Sequence, residues 1–248
     1  MKVLLALDTS SGSTGTAVAE AGRVLASIAE AKPYRHSENL FAQIDAVLLE
    51  ASLAKEDLTG IVVTRGPGSF TGLRVGLATA KGLAAGLGLP IAGVSSLAAL
   101  AEPHWSASLV TAPVFDARKG QIYGAAYGKG GEPLLPECAW DPAVFALELK
   151  KLALPVMFSG SGIDPYGRVF KEILGDNFTA VPQESWFVDP ASVARLGYAE
   201  FAAGRMTDPV NLVPVYLRRS EAEENASGRG PGRSDGATAN LPLAPPSR

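Results

Sequence analysis

Cysteine and histidine are almost missing from this chain. Cys138 is the only cysteine in 248 residues, and His36 and His104 are the only histidines. A single thiol excludes an intramolecular disulfide and fits a small buried hydrophobe in a reducing compartment. With so few ligands there is no CxxC or HExxH metal pattern. A basic excess is missing as well. Lys and Arg number 22 against 25 Asp and Glu, for a formal net charge of −3. A protein that grips RNA alone normally presents a basic field, so a nucleic-acid role here would need a partner to supply the charge. Long apolar runs are absent. The N-terminal run Val3–Leu7 stops at Asp8, short of the roughly 7–15 residues of a secretory core and the roughly 20 of a membrane span. The expectation is a cytoplasmic protein without a membrane role. Aromatic residues end at Tyr216, and residues 220–248 are Gly, Pro, Ala, Ser and scattered charges. That composition cannot offset the entropy of ordering, so a disordered tail is expected there.

What the chain does contain is one device used twice. Residues 4–20, LLALDTSSGSTGTAVAE, are an apolar run, Asp8, a Ser/Thr/Gly turn and a second apolar run. Residues 112–127, APVFDARKGQIYGAAY, repeat it with Asp116 and a turn closed by Gly120. Two strand–Asp–turn–strand hairpins predict an internally duplicated α/β protein. Such turns can face each other across a cleft and hold phosphate on backbone N–H groups.

The rest of the pattern fills in around the hairpins. Strands are expected at 3–7, 15–20 and 23–30. A helix follows, capped by Ser37, with Leu40, Phe41, Ile44, Val47 and Leu48 on one apolar face. IVVT (61–64) and residues 90–94 read as strands, with Ser95 or Ser96 capping a short helix. Glu102-Pro103 marks a boundary, giving lobes at 1–102 and 103–219. The second half is expected to hold a Pro-interrupted segment at 132–142, a helix near 143–152 and a strand at 155–159. Then come the loop SGSGIDPYG (159–167) and helices at 166–174 and 190–204, the last able to pack back on the N-terminal lobe.

Residues 66–88, GPGSFTGLRVGLATAKGLAAGLG, carry the densest signal. Gly66 and Gly68 flank Pro67 in a tight turn, and Ser69 or Thr71 caps the helix that follows. Gly72, Gly76, Ala80, Ala84 and Gly88 recur every four residues, beside Leu73, Leu77 and Leu87. An interior Gly costs about 0.8–1 kcal/mol relative to Ala, so another backbone is expected to come close. Periodicity leaves two readings open: the stripe packs on the chain's own sheet and helices, or on another subunit. GPGSFTG has the residue types of a phosphate loop but lacks the Lys of GxxxxGK[ST].

Taken in order, LALDTS, RHSE, GPGSFTGLRVG followed by KGLA, GVSSL, DARKGQIY and VPVYLRR resemble the bacterial TsaB family, formerly described as glycoprotease-like. The resemblance spans about residues 1–218. It implies an actin/Hsp70-like ATPase fold of two duplicated lobes. It also implies a role in forming threonylcarbamoyladenosine next to the anticodon of tRNA. The implied partners are a catalytic homologue, TsaD, and a small ATPase, TsaE, with tRNA met only through the complex. The resemblance places Leu40, Phe41, Ile44, Val47, Leu48, Gly72, Leu73, Gly76 and Ala80 at the subunit contact. Homodimerisation of the lone chain stays open.

The catalytic relative binds metal through histidines at i and i+4 on a helix. Here His36 is followed by Leu40, so the pair is missing and His36 reads as a polar helix-start residue. Asp8, Ser10, Gly68, Asp116, Arg118, Gly160 and Gly162 fall where this fold holds a nucleotide. Asp8 and Asp116 can equally brace their turns, and Gly160 and Gly162 can equally form a plain turn. The expectation is a non-catalytic scaffold with no cofactor of its own, ATP and metal being held by its partners. The alternative is an autonomous small-molecule kinase of the same fold.

Overall fold

The computed structural model describes residues 2–30, 36–106 and 108–218, with the backbone alone at 36–39. The tail expected at 220–248 and the side chains of His36 and Ser37 lie outside the described residues.

Apolar runs become central strands. β1 (Val3–Asp8) is buried along its whole length. It pairs antiparallel with β2 (Thr14–Glu20), which pairs antiparallel with β3 (Arg23–Glu30). After α1 (His36–Glu50), β4 (Gly60–Thr64) joins β1 in parallel. α2 (Phe70–Leu87) then leads to β5 (Ile91–Val94), parallel to β4, and to α3 (Ser96–Ala101). The sheet order is β3-β2-β1-β4-β5.

The second half repeats this order strand for strand. β6 (Val110–Arg118), β7 (Gln121–Tyr127) and β8 (Pro133–Trp140) form the antiparallel meander. After α4 (Pro142–Lys151), β9 (Val156–Ser159) joins β6 in parallel. α5 (Ile163–Leu174) precedes β10 (Phe178–Ala180), which is parallel to β9. The order β8-β7-β6-β9-β10 matches the first sheet. Two such duplicated lobes are the actin/Hsp70-like ATPase fold. α6 (Pro190–Ala202) closes the helical set.

Side-chain alternation sorts the layers. Leu5, Leu7, Ile61 and Val63 face α1 and α2 in one core. Leu4, Ala6, Val62 and Ala92 face the other way, onto Val193, Ala194 and Phe201 of α6. That second core also takes Leu97 and Leu100 of α3 and Phe115, Ala125 and Tyr127 of the second sheet. A third core joins Val110, Val114 and Phe158 to Phe145 of α4 and Phe170 of α5. The described residues up to Leu217 thus pack as one unit. After α6 the chain runs back as a strap along the first lobe. Thr207 bridges to Ile91 at the β5 edge, and Val215 N–H donates to the Arg65 carbonyl at 2.7 Å.

Several sequence expectations change here. The Pro-interrupted segment is a full strand, β8, and β10 was not foreseen. α5 starts at Ile163, so half of the expected SGSGIDPYG loop is helical. Pro165 sits in its first turn, where no N–H is needed. α1 already includes Ser37, which is therefore not the residue before the helix.

The contact residues of the two helices need the largest correction. Leu40, Ile44, Val47, Leu48, Leu73 and Ala80 are buried in the chain's own core. Gly72 and Gly76 face Thr9: a Cβ on Gly72 would overlap the Thr9 carbonyl oxygen, and one on Gly76 the Thr9 hydroxyl. Thr9 Oγ1 fills that approach by donating to the Gly72 carbonyl at 2.7 Å. The stripe is internal because β1 exits under α2 there. Of the named residues only Phe41 points outward, at 55% exposure.

Candidate functional site

The two hairpin turns border a cleft of about 630 Å³. Its walls include Ser10, Ser69, Phe70, Phe115, Arg118 and Tyr123. β1 and β6 deliver their turns to it, and the start of α2 forms the third side. Ser69 caps α2, its hydroxyl accepting from Gly72 N–H at 3.2 Å.

Asp8 lies behind the cleft wall, fully buried. Its Oδ1 accepts from Ser10 N–H (3.1 Å), the Ser10 hydroxyl (2.6 Å) and the Thr64 hydroxyl (2.7 Å). Its Oδ2 accepts from the Ser11 hydroxyl at 3.3 Å. Burial pushes the Asp8 carboxyl above its usual range, and the bonds from Ser10, Thr64 and Ser11 oppose that shift only in part. Ser11 also accepts from Val188 N–H at 3.0 Å, which ties the turn to the segment entering α6.

Asp116 makes the same i+2 bond: its Oδ1 accepts from Arg118 N–H at 2.8 Å. Its Oδ2 pairs with Arg118 Nη1 at 3.1 Å, and that arginine side chain is 84% exposed. The Ser161 hydroxyl accepts from Asp116 N–H at 3.3 Å. Arg118, Lys119 and Gly120 all take positive φ, which builds the turn.

Ser10, Gly68, Asp116 and Arg118 therefore meet at the cleft, while Asp8 stands behind it. Gly160 and Gly162 do not line it. They press on β6 instead, where Gly162 N–H donates to the Val114 carbonyl at 3.0 Å and a Cβ on Gly160 would overlap that oxygen. The close approach they permit is to Val114 of β6. Both carboxylates brace their turns, and among the described residues no group of three or more His, Cys, Asp or Glu is placed to hold a metal ion.

Sequence reasoning missed Thr64, Ser11 and Ser161, each of which holds one of the two turns. The signal for Thr64 was available: a hydroxyl closing the otherwise apolar run IVVT. His104 is half-buried away from the cleft, where burial lowers its pKa and Glu102 opposes the shift. Cys138, expected buried, is half-buried on β8, and burial raises its thiol pKa.

The "tRNA threonylcarbamoyladenosine biosynthesis protein TsaB" of Bacillus subtilis (strain 168) is 34% identical over 223 residues, covering 89% of this chain and 96% of the relative. The chain belongs to the TsaB family. The Escherichia coli (strain K12) protein of that name is 28% identical, covering 91% of this chain and 99% of its own. The family described as TsaD, tRNA N6-adenosine threonylcarbamoyltransferase, matches residues 23–226. YeaZ from Pseudomonas aeruginosa superposes with a TM-score of 0.74 at 30% identity, covering 88% of this chain and all of that one. Among the described residues no helix is long and apolar enough to cross a membrane.

Proposed function

We propose that this chain is a non-catalytic scaffold and activator in the formation of threonylcarbamoyladenosine next to the anticodon of tRNA. The relatives' names give the pathway. The observation that supports the non-catalytic role is that Asp8 and Asp116 brace their turns while, among the described residues, no group of three or more His, Cys, Asp or Glu could hold a metal ion. On this reading the chain has no cofactor of its own, and ATP and metal belong to the catalytic homologue TsaD and the ATPase TsaE. tRNA is met through the complex, in keeping with the net charge of −3.

The partner surface on this reading is the outer side of α1 and α2. Phe41 is 55% exposed and Leu49 80%. Within α2, Gly82 and Gly86 have no heavy atom within 4 Å of where a Cβ would sit. Each costs about 0.8–1 kcal/mol against Ala, and the chain's own packing gives no reason for it. A partner helix at the short end of the roughly 8–10 Å interaxial range would.

The test is reconstitution. The purified chain is assayed alone and with the candidate subunits for ATP hydrolysis and threonylcarbamoyl transfer to tRNA. Co-purification and activity only in the mixture are expected. Transfer by the lone chain refutes the scaffold reading, and steady ATP turnover by the lone chain refutes it in favour of the kinase alternative.

A further inference from the structure

A second cavity, of about 330 Å³, lies under the strap. The ends of β4 and β5, with β8, α6 and Val215, border it, and it opens to solvent. That volume is at the lower end of the roughly 300–1,000 Å³ of small-molecule sites. Three charged side chains line it: Arg65, Glu137 and Glu200.

They are not equally free. Glu200 is taken, since Arg205 binds both of its oxygens at 2.8 Å. Glu137 gives Oε1 to the Tyr127 hydroxyl at 2.8 Å. Burial pushes the Tyr127 phenol far up, so it remains a proton donor. No cation pairs with Glu137 among the described residues. Arg65 is anchored through its main chain, its N–H to the Val94 carbonyl (3.0 Å) and its carbonyl to Val215 N–H (2.7 Å). Its stem lies across Gly93, where a Cβ would come within 2.8 Å of Arg65 Cδ. Arg65 is exposed, and its guanidinium makes no ion pair within 4 Å and no hydrogen bond among the described residues, although, after the Arg205 bond, its charge helps to hold the Glu200 carboxyl below its usual range. One cation and one carboxylate, held by different elements, thus share a small cavity without reaching each other. Ala98, Leu196 and Val215 add apolar lining.

We infer that this cavity binds a small zwitterion of the α-amino-acid class, its carboxylate on Arg65 and its ammonium on Glu137. A planar guanidinium suits a carboxylate, and the remaining oxygen of Glu137 suits an ammonium. The inference stands apart from the proposed function, since neither the cleft nor the α1/α2 face takes part.

The test uses the full chain and each of the twenty proteinogenic L-amino acids, singly, at about 10 mM, tenfold above a Kd of 1 mM. Ligand-observed NMR and the thermal shift are read. At least one small amino acid is expected to bind, while its decarboxylated amine and its deaminated acid are not. Arg65→Met and Glu137→Gln, each checked for an intact fold by circular dichroism, are expected to weaken binding about tenfold or more, the loss of about 1.4 kcal/mol. Glu137→Gln keeps the shape and the Tyr127 bond, so it decides the matter should Arg65→Met fold poorly. Binding by none of the twenty, or equal binding to wild type and Glu137→Gln, overturns the inference.

Discussion

At the scale of single residues, glycines in α2 that look alike in sequence should behave in opposite ways. Gly72→Ala drives a Cβ into the Thr9 carbonyl. Overpacking costs about 1–3 kcal/mol, only partly offset by the better helix propensity of Ala. Gly82→Ala meets open space and should gain about 0.4–1 kcal/mol. At roughly 2–4 °C per kcal/mol in a chain of this size, melting curves separate the two signs readily. Equal effects would mean that the inner and outer faces are wrongly assigned. Asp8 offers a second test. Its native carboxyl holds a proton to higher pH than in the unfolded chain, so wild-type stability falls as pH rises from the ordinary value of 3.8 through the native one. Asn at this position has no such loss and keeps the Oδ1 bonds. Asp8→Asn should therefore match wild type most closely below pH 3.8 and gain on it towards neutral pH. Its activity in the reconstituted complex should stay within a few-fold. A loss of about 10²-fold or more, the scale of an essential acid–base or charge-stabilising group, would show a live site instead.

At the scale of elements, the middle of the strap is tied to α2 by one lysine, and its far end by Phe70 and Arg74 against Tyr216. Lys81 looks like a solvated surface residue in the sequence. Its ammonium in fact donates to the Val210 carbonyl at 3.2 Å and the Leu212 carbonyl at 3.1 Å. The strap's far end rests on Phe70, whose ring is 5.2 Å from that of Tyr216. Lys81→Met should cost about 1–2 kcal/mol, the lower part of the range for bonds from a charged donor at a half-open site. Hydrogen exchange at Val215 N–H should speed up while β1 stays protected. Unchanged exchange there would mean that Lys81 does not hold the strap. The sequence hid this contact because a lysine's partners here are backbone carbonyls more than a hundred residues away, which leave no pattern. Other parts were legible for the opposite reason. The hairpins, α2 with its cap and the order of the first sheet are local and periodic. β8 was obscured by Pro133 and Pro136, which an edge strand tolerates. β10, three residues long, is too short to show a period. The four-residue stripe announced a close contact correctly, but periodicity names a face and not its neighbour.

At the scale of the whole molecule, the question is whether two duplicated lobes behave as two bodies. One core runs through both: Leu4 and Ala6 of the first sheet, Leu97 and Leu100 of α3, and Phe115 and Tyr127 of the second sheet share it with α6. Polar ties reinforce it. Arg195 of α6 holds Glu102 through two bonds of 2.7 and 2.6 Å, just where the chain leaves the first lobe. The Ser11–Val188 bond fastens the first hairpin turn to the returning chain. A joint that buries aromatic side chains from one lobe against helices of the other cannot open without exposing apolar surface. The lobes should therefore unfold together. Calorimetry should give one transition, with equal van't Hoff and calorimetric enthalpies. Phe115→Ala removes a ring from the shared core, at about 3–5 kcal/mol, and should lower that single transition by about 6–20 °C. If Phe115→Ala instead splits the curve in two, with one half melting at the wild-type temperature, the lobes are independent bodies and the shared core is only a contact between them.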